Sequence, residues 1–155
     1  MGIDTSPLAL TVSRLRGVED CRLMSLFDLD FSPNSFDTVL MLGQNLALGN
    51  TEEIRGYLSS LYEVTSHEGI IIGEVRDPYV TDNPDHIEFQ RRNVEKGIPA
   101  GLVTLHVGFK EGVTEWFTLY LMNEEELLDV IKPTGWKLRK TYHSNHGMYI
   151  AILTK

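Results

Sequence analysis

Polar side chains follow the ends of three predicted strands. Asp4 offers a carboxylate after the first strand, and the amide side chains of Gln44 and Asn45 follow a strongly apolar one. Arg76 and Tyr79 follow a third strand and offer a cation and a phenol. Because open α/β sheets bind ligands beyond the carboxyl ends of their strands, this arrangement predicts a hydrogen-bonding ligand site at one edge of a sheet.

The remaining ionisable clusters favour structural roles. The acidic run at residues 124–126 suits the first turn of a helix, where negative charge meets the positive end of the helix dipole. Four of the five histidines are scattered without metal-ligand spacing, namely His86, His106, His143 and His146. We therefore assign no metal site.

Size, charge and cysteine content narrow the class of protein. The chain has 155 residues, enough for one domain with its own core. Its 14 basic and 22 acidic residues give a net charge of −8, which argues against a nucleic-acid-binding surface. The single cysteine, Cys21, cannot form an internal disulfide, and we find neither a membrane-length apolar run nor a signal peptide. We expect a cytoplasmic protein that does not enter a membrane.

The first residues predict a strand followed by a helix. The strand ends at Asp4, and Ser6 can cap the helix that follows. Pro7 suits the first helical position, and Gly17 suits the position just beyond the last turn.

The next segment predicts further strands and one more helix. The strands are expected at residues 21–26, 36–42 and 70–75. The second of these is almost continuously apolar, so we expect it to be buried on both faces. Between the last two strands, Asn50 and Glu53 form a capping-box pattern, and Gly69 is expected to stop that helix.

Residues 76–122 interrupt this alternation. Asn83 begins a helix that ends near Gly97, and a hairpin with a turn at residues 110–112 follows. Asn123 then caps a last helix, before a second hairpin. The four hairpin strands are expected at residues 101–109, 113–122, 136–143 and 148–154. The order predicts a single α/β domain over residues 1–155 with a doubly wound sheet, residues 76–122 being an insertion.

Five segments together resemble the class I S-adenosylmethionine-dependent methyltransferases. They are residues 2–6, 36–43, 68–72, 127–136 and 148–154. Asp4 is similar to the acidic residue that ends the family's second strand, and Phe36-Asp37 to the start of its fourth. The resemblance implies a Rossmann-like sheet, mostly parallel with an antiparallel last strand, an added β-hairpin, and S-adenosylmethionine as cofactor.

One part of the family pattern is not found in this sequence. The family places a strand, a G-x-G-x-G turn and a helix before the residue that Asp4 resembles. That first strand lies in the middle of the family's sheet, so we expect a gap between the strand ending at Asp4 and the strand at residues 36–42. Either the chain is truncated, or a partner or second copy fills the gap, or the sheet closes up. An unpaired edge of this kind favours a homo-oligomer or a partner that supplies the strand.

The resemblance implies roles for residues near the N-terminus. Asp4, with Thr5 beside it, would accept hydrogen bonds from the cofactor ribose, although Asp4 could instead cap the helix. Ser25 stands where the family often has an acid that contacts adenine. Leu26 or Phe27 could flank the adenine ring, and core packing explains both equally well.

The later strand ends would face the reacting groups. Leu42 and Gly43 would lie near the methionine end of the cofactor, where glycine permits close backbone approach. The candidates for binding the methyl acceptor are Gln44, Asn45, Arg76 and Tyr79.

The implied function is methyl transfer from S-adenosylmethionine to a small molecule. No residue is an obvious general base. A non-catalytic half methyltransferase that acts as a partner subunit is the alternative. A different nucleotide-binding protein, such as a dehydrogenase, is disfavoured because the glycine fingerprint is absent from the sequence.

Overall fold

The computed structural model describes residues 1–110 and 112–155. The strands are β1 (Gly2–Asp4), β2 (Cys21–Leu23), β3 (Phe36–Met41), β4 (Thr65–Arg76), β5 (Leu102–Leu105), β6 (Gly108–Phe109), β7 (Gly112–Val113), β8 (Phe117–Tyr120), β9 (Lys137–His143) and β10 (Met148–Thr154). The helices are α1 (Pro7–Leu15), α2 (Thr51–Val64), α3 (Pro84–Glu95) and α4 (Glu124–Ile131). Two 3-10 turns lie at Asn45–Ala47 and Lys132–Thr134.

The strands form one mixed sheet and a separate parallel pair. The mixed sheet has the order β3-β4-β10-β9, with β3 parallel to β4 and β10 antiparallel to both of its neighbours. β1 and β2 pair in parallel as a second sheet, and no described strand joins β1 to β3. The predicted α/β sheet with an antiparallel last strand is confirmed.

One face of the mixed sheet forms the core with α2 and α4. Ile71 and Val75 of β4 are fully buried at alternate positions, as a half-buried strand requires. Ile54 and Leu58 lie one helical turn apart on α2 and are also fully buried. Trp136 fixes the layers together, because its indole N–H donates to the Leu58 carbonyl at 2.9 Å.

Two local predictions are wrong. β3 is not buried on both faces, since Leu40 is 63% exposed. Its apolar sequence is compatible with burial, but Met41 on the same strand faces the core, and Leu40, one position away, points to the opposite face of the sheet, which the described residues leave largely uncovered there. Gly69 does not stop a helix: α2 ends at Val64, and Gly69 lies inside β4, where a Cβ atom would come within 2.8 Å of the Ser66 carbonyl oxygen.

The insertion folds as α3 and two short ladders. β5 pairs with β8, and β6 with β7, so the predicted long hairpin is divided. Its predicted turn includes residue 111, which lies outside the described residues. The Gly49 amide donates to the Thr118 carbonyl at 2.7 Å, and Leu48 bridges to Leu119. The insertion is thereby fastened to the loop after β3.

Candidate functional site

Asp4 lies exposed at the end of β1. Its Oδ1 accepts a hydrogen bond of 2.7 Å from the Ser6 amide, and Ser6 in turn caps α1 by accepting from the Ala9 amide at 3.2 Å. The second carboxylate oxygen has no partner among the described residues. Asp4 therefore shapes the turn into α1 and retains one oxygen for a ligand. Thr5 is exposed beside it.

The residues predicted to surround adenine have different environments. The Ser25 hydroxyl accepts from the Phe27 amide at 3.1 Å and so serves the turn. Leu26 is partly buried against the core. Phe27 is 51% exposed and meets the edge of the Tyr57 ring, with ring centroids 5.9 Å apart. Of the three, Phe27 presents the most open surface to a planar ligand.

Tyr57 connects this turn to the loop after β3. Its hydroxyl donates to the Leu46 carbonyl at 2.9 Å, and Leu46 is fully buried. Burial, followed in size by repulsion from Glu53, raises the pKa of Tyr57, so the phenol stays protonated and continues to donate. We missed Tyr57 in the sequence, where its only signal is a place on the buried face of α2.

The loop after β3 is built from two left-handed residues. Gly43 has φ +65° and Gln44 has φ +72°. The Gly43 amide donates to Glu74 Oε2 at 2.6 Å, which ties the loop to β4. Positive φ at a non-glycine residue is strained and needs support from surrounding structure. Glu74 was also missed, because its contact with Gly43 spans 31 residues.

Gln44 carries an unpaired buried oxygen. Its Nε2 donates to Met148 Sδ at 3.1 Å. Its Oε1 is buried and has no hydrogen-bond partner among the described residues. An unpaired buried acceptor costs about 1–3 kcal/mol. Because this oxygen is enclosed, a ligand N–H or O–H can pair with it only if the side chain turns outward. Leu42 and Asn45, on either side of the two loop residues, are exposed.

Arg76 and Tyr79 do not act together. Tyr79 donates its hydroxyl to Glu126 Oε1 at 2.9 Å, at the start of α4. Partial burial and then this hydrogen bond raise the pKa of Tyr79 to about 12. Arg76 is exposed at the end of β4 and makes no ion pair with any described carboxylate. Arg76 lines a cleft from which the Tyr79 side chain is absent.

The cleft lies between α3 and β5 and has a volume of about 350 Å³. Its lining includes Arg76, Thr81, Asp85, His86, Phe89, Gln90, Gly101, Val103 and Leu121. His86 Nδ1 and Thr81 Oγ1 are 3.1 Å apart, which orients the imidazole. We considered His86 in the sequence only as a metal ligand. Its place in a cleft depends on the packing of α3 on β5, which no local pattern reveals.

Neither a metal cluster nor a membrane helix is present in the part of the chain that the structure describes. No three His, Cys, Asp or Glu side chains converge there as metal ligands would. None of the described helices has the length and apolar character needed to cross a bilayer.

Comparisons with known proteins give matches among solved structures alone. No family model matches this sequence, and no curated protein does. A methyltransferase from Bacteroides fragilis, described as S-adenosylmethionine-dependent and in complex with S-adenosyl-L-homocysteine, is 26% identical with a TM-score of 0.78. The match covers 98% of this chain and 61% of that one.

Two other structures share the fold at lower identity. An S-adenosylmethionine-dependent methyltransferase from Methanosarcina mazei is 14% identical with a TM-score of 0.73, over 99% of this chain and 80% of that one. The third is a 1,6-didemethyltoxoflavin-N1-methyltransferase from Burkholderia thailandensis with 1,6-didemethyltoxoflavin and S-adenosylhomocysteine bound. It is 13% identical with a TM-score of 0.62, and the match covers 99% of this chain and 59% of that one. This chain thus spans about three fifths of the B. fragilis and B. thailandensis proteins.

Proposed function

We propose that this chain, which has the fold of the class I S-adenosylmethionine-dependent methyltransferases, takes part in methyl transfer from S-adenosylmethionine to a small molecule. The observation that carries the proposal is the similarity to the B. fragilis protein over nearly the whole chain, because that protein is described with the product form of the cofactor bound. The B. thailandensis protein, with its bound toxoflavin precursor, supports a small-molecule acceptor.

The residues at the strand ends fit this cofactor chemically. The free oxygen of Asp4 can accept from a ribose hydroxyl, and the half-exposed Phe27 ring can stack on adenine. Thr5, Ser25 and Leu26 would complete these two subsites. Leu42 and Gly43 would lie along the methionine portion, since the left-handed Gly43 keeps the backbone accessible there.

The acceptor would lie against the loop after β3 and the end of β4. When bound, the cofactor would supply a methyl carbon to an acceptor nitrogen or oxygen; the C–S electron pair would stay on sulfur, and the proton of the acceptor would pass to water. This chain contributes orientation: if the Gln44 side chain turns outward, its Oε1 can accept the N–H or O–H of the acceptor and so align its lone pair. Asn45 and Arg76 offer further polar contacts, and a role for Tyr79 stays a prediction.

The free edge of β3 supports a further proposal, that this site needs another strand. No described strand pairs with that edge or joins it to the β1–β2 pair. Unpaired strand edges invite a further strand. We propose that a parallel strand fills the gap, supplied by residues ahead of Gly2 in a longer chain, by a partner or by a second copy of this chain. A monodisperse monomer in light scattering, with no added segment, would contradict the second-copy form.

The same gap favours a second candidate function. A chain that needs another polypeptide to complete its sheet can serve as a non-catalytic partner subunit. Cofactor binding separates the two candidates, because a partner subunit without a site of its own gains no affinity from the missing strand.

Calorimetric titration with S-adenosylhomocysteine tests the proposal. We expect weak or undetectable binding by residues 1–155, since good pockets enclose about 70–90% of a ligand. Adding a strand, glycine-rich turn and helix ahead of Gly2 should restore binding. In that longer protein, Asp4→Asn should weaken binding by about 10-fold or more through loss of a charged acceptor, while keeping an oxygen for the Ser6 amide.

Asp30→Asn is the matched control, because Asp30 is exposed and lies outside the proposed site. It should leave the affinity unchanged. Tight binding by residues 1–155 alone would refute the role of the gap. Absence of binding by the folded, longer protein would refute the cofactor assignment.

A further inference from the structure

We propose that the cleft between α3 and β5 holds the methyl acceptor, and that this acceptor is a small, largely apolar acid whose anionic group binds Arg76. That the ligand is a methyl acceptor rests on the proposed function. The class of ligand that the cleft binds does not, because this binding can be measured with or without the cofactor.

The cleft lies next to the loop that would orient the acceptor. Arg76 is directly opposite Met148 in the β4–β10 register, and Gln44 donates to Met148 Sδ at 3.1 Å. Arg76 and Gln44 therefore adjoin the same methionine. Gln44 does not line the cleft itself, so a ligand anchored at Arg76 would reach the loop after β3 only by extending past Met148.

The walls of the cleft are held in place by internal hydrogen bonds. Gln90 Nε2 donates to the Pro78 carbonyl at 2.6 Å. From α3, the buried Asn93 side chain donates to the Pro99 carbonyl at 3.3 Å, to the Ala100 carbonyl at 3.2 Å and to the Leu102 carbonyl at 2.9 Å. These bonds link α3 to the chain entering β5. The cleft is thus preformed, as small-molecule sites usually are.

The size and surface of the cleft suit a small, mainly apolar ligand. Its volume of about 350 Å³ lies near the lower end of the range of roughly 300–1,000 Å³ for ligand pockets. Phe89, Val103 and Leu121 supply apolar lining. A ligand about the size of a substituted aromatic ring would cover this surface and remove it from water.

The charges on the lining select an acid and its orientation. Arg76 has no ion-pair partner among the described carboxylates, so its guanidinium can bind a ligand carboxylate through two parallel hydrogen bonds. Asp85 also lines the cleft, from the first turn of α3, and would repel an anion placed there. The anion is therefore expected at the Arg76 end of the cleft, beside the loop after β3.

Matched acids and amides test the proposal without the cofactor. The probes are indole-3-acetate against indole-3-acetamide, and 4-hydroxybenzoate against 4-hydroxybenzamide, titrated into the 155-residue chain and followed by amide NMR shifts. We expect each acid to shift the signals of Gln90, Ala100 and Gly101, and to bind about 10-fold more tightly than its amide. Equal affinities, or shifts confined to other regions, would overturn the proposal.

Three variants make the test specific. Arg76→Gln should reduce acid affinity to that of the amide and leave amide affinity unchanged. Thr104 on β5 also lines the cleft, so Thr104→Trp should fill the cleft and abolish binding of both probes. Arg139→Gln on β9 is the control, because it removes the same charge away from the cleft and should change neither affinity. Acid binding that survives Arg76→Gln, in a variant with unchanged melting temperature, would overturn the assignment.

Failure of this inference and failure of the proposed function give different results. S-adenosylhomocysteine binding by the lengthened protein, together with no acid binding, overturns only the acceptor cleft. Acid binding at Arg76 with no cofactor binding leaves the cleft as an acid site and overturns the methyltransferase role.

Discussion

Gly73 on β4 should be unable to accept even one methyl group. A Cβ atom at this position would lie 2.3 Å from Cδ2 of Leu46 and 3.0 Å from its Cβ and Cγ. Carbon atoms pack best at about 3.5–4.0 Å, and Leu46 is fully buried, so it cannot move into solvent. Because overpacking of this kind costs about 1–3 kcal/mol, Gly73→Ala should lower the free energy of unfolding by that amount.

The same substitution should have the opposite effect on α2. Gly56 is exposed in the middle of that helix, and a Cβ atom there would meet nothing within 4 Å. Gly56→Ala should therefore stabilise the protein by about 0.5–1 kcal/mol, because alanine is the better helix former. The pair compares one added methyl group in two environments.

Truncating the neighbour should relieve part of the clash. Leu46→Ala alone should cost about 2–5 kcal/mol, as expected for a large-to-small change in the core. Combined with Gly73→Ala, the cost should fall below the sum by at least about 1 kcal/mol, since the new methyl group enters the cavity. Relief stays partial, because the Cβ of residue 46 remains at 3.0 Å.

Urea unfolding of the parent and the four variants, with thermal melts, measures these energies. For a domain of this size about 1 kcal/mol corresponds to about 2–4 °C, so Gly73→Ala should melt about 2–12 °C below the parent. A neutral or stabilising Gly73→Ala, or strict additivity with Leu46→Ala, would refute the reasoning. It would mean that the loop after β3 is not held against β4 through Leu46.

Three further predictions concern side chains that position the site. Asn93→Ala should lower the free energy of unfolding in urea by about 1–3 kcal/mol, because it leaves buried carbonyls at the start of β5 unpaired. Asn93→Asp should be no more stable, because a carboxylate has no N–H to donate. Tyr149→Phe should cost about 0.5–1.5 kcal/mol, since its buried hydroxyl donates to the Met122 carbonyl at 3.0 Å; an unchanged unfolding midpoint would contradict this. Hydrogen bonds from Arg91 and Arg92 lower the pKa of Glu88 from 4.5 to about 2. Their stabilisation of α3 should therefore be complete above about pH 4.5 and be lost as the pH falls toward 2. A Glu88 pKa near 4.5 in a carboxyl NMR titration of the folded protein would contradict this.

Local features of the fold could be predicted from the sequence because interactions between residues close together in the chain produce them. The capping box of α2 needs only Asn50 and Glu53, three residues apart, and the structure has both of its hydrogen bonds. Ser6 caps α1 for the same reason. The order of strands and helices then pointed to the α/β sheet, and its antiparallel last strand followed from the family resemblance.

The tertiary structure decided which of these groups meet and which are covered. Leu40 is apolar but 63% exposed, because burial depends on what packs over that face of the sheet and not on the residue itself. The Gln44–Met148 contact spans 104 residues, and the cleft requires α3 to pack against β5. Sequence patterns report interactions within one helix or hairpin, whereas a site at the edge of a sheet joins distant segments whose contact is set by the packing of the whole chain.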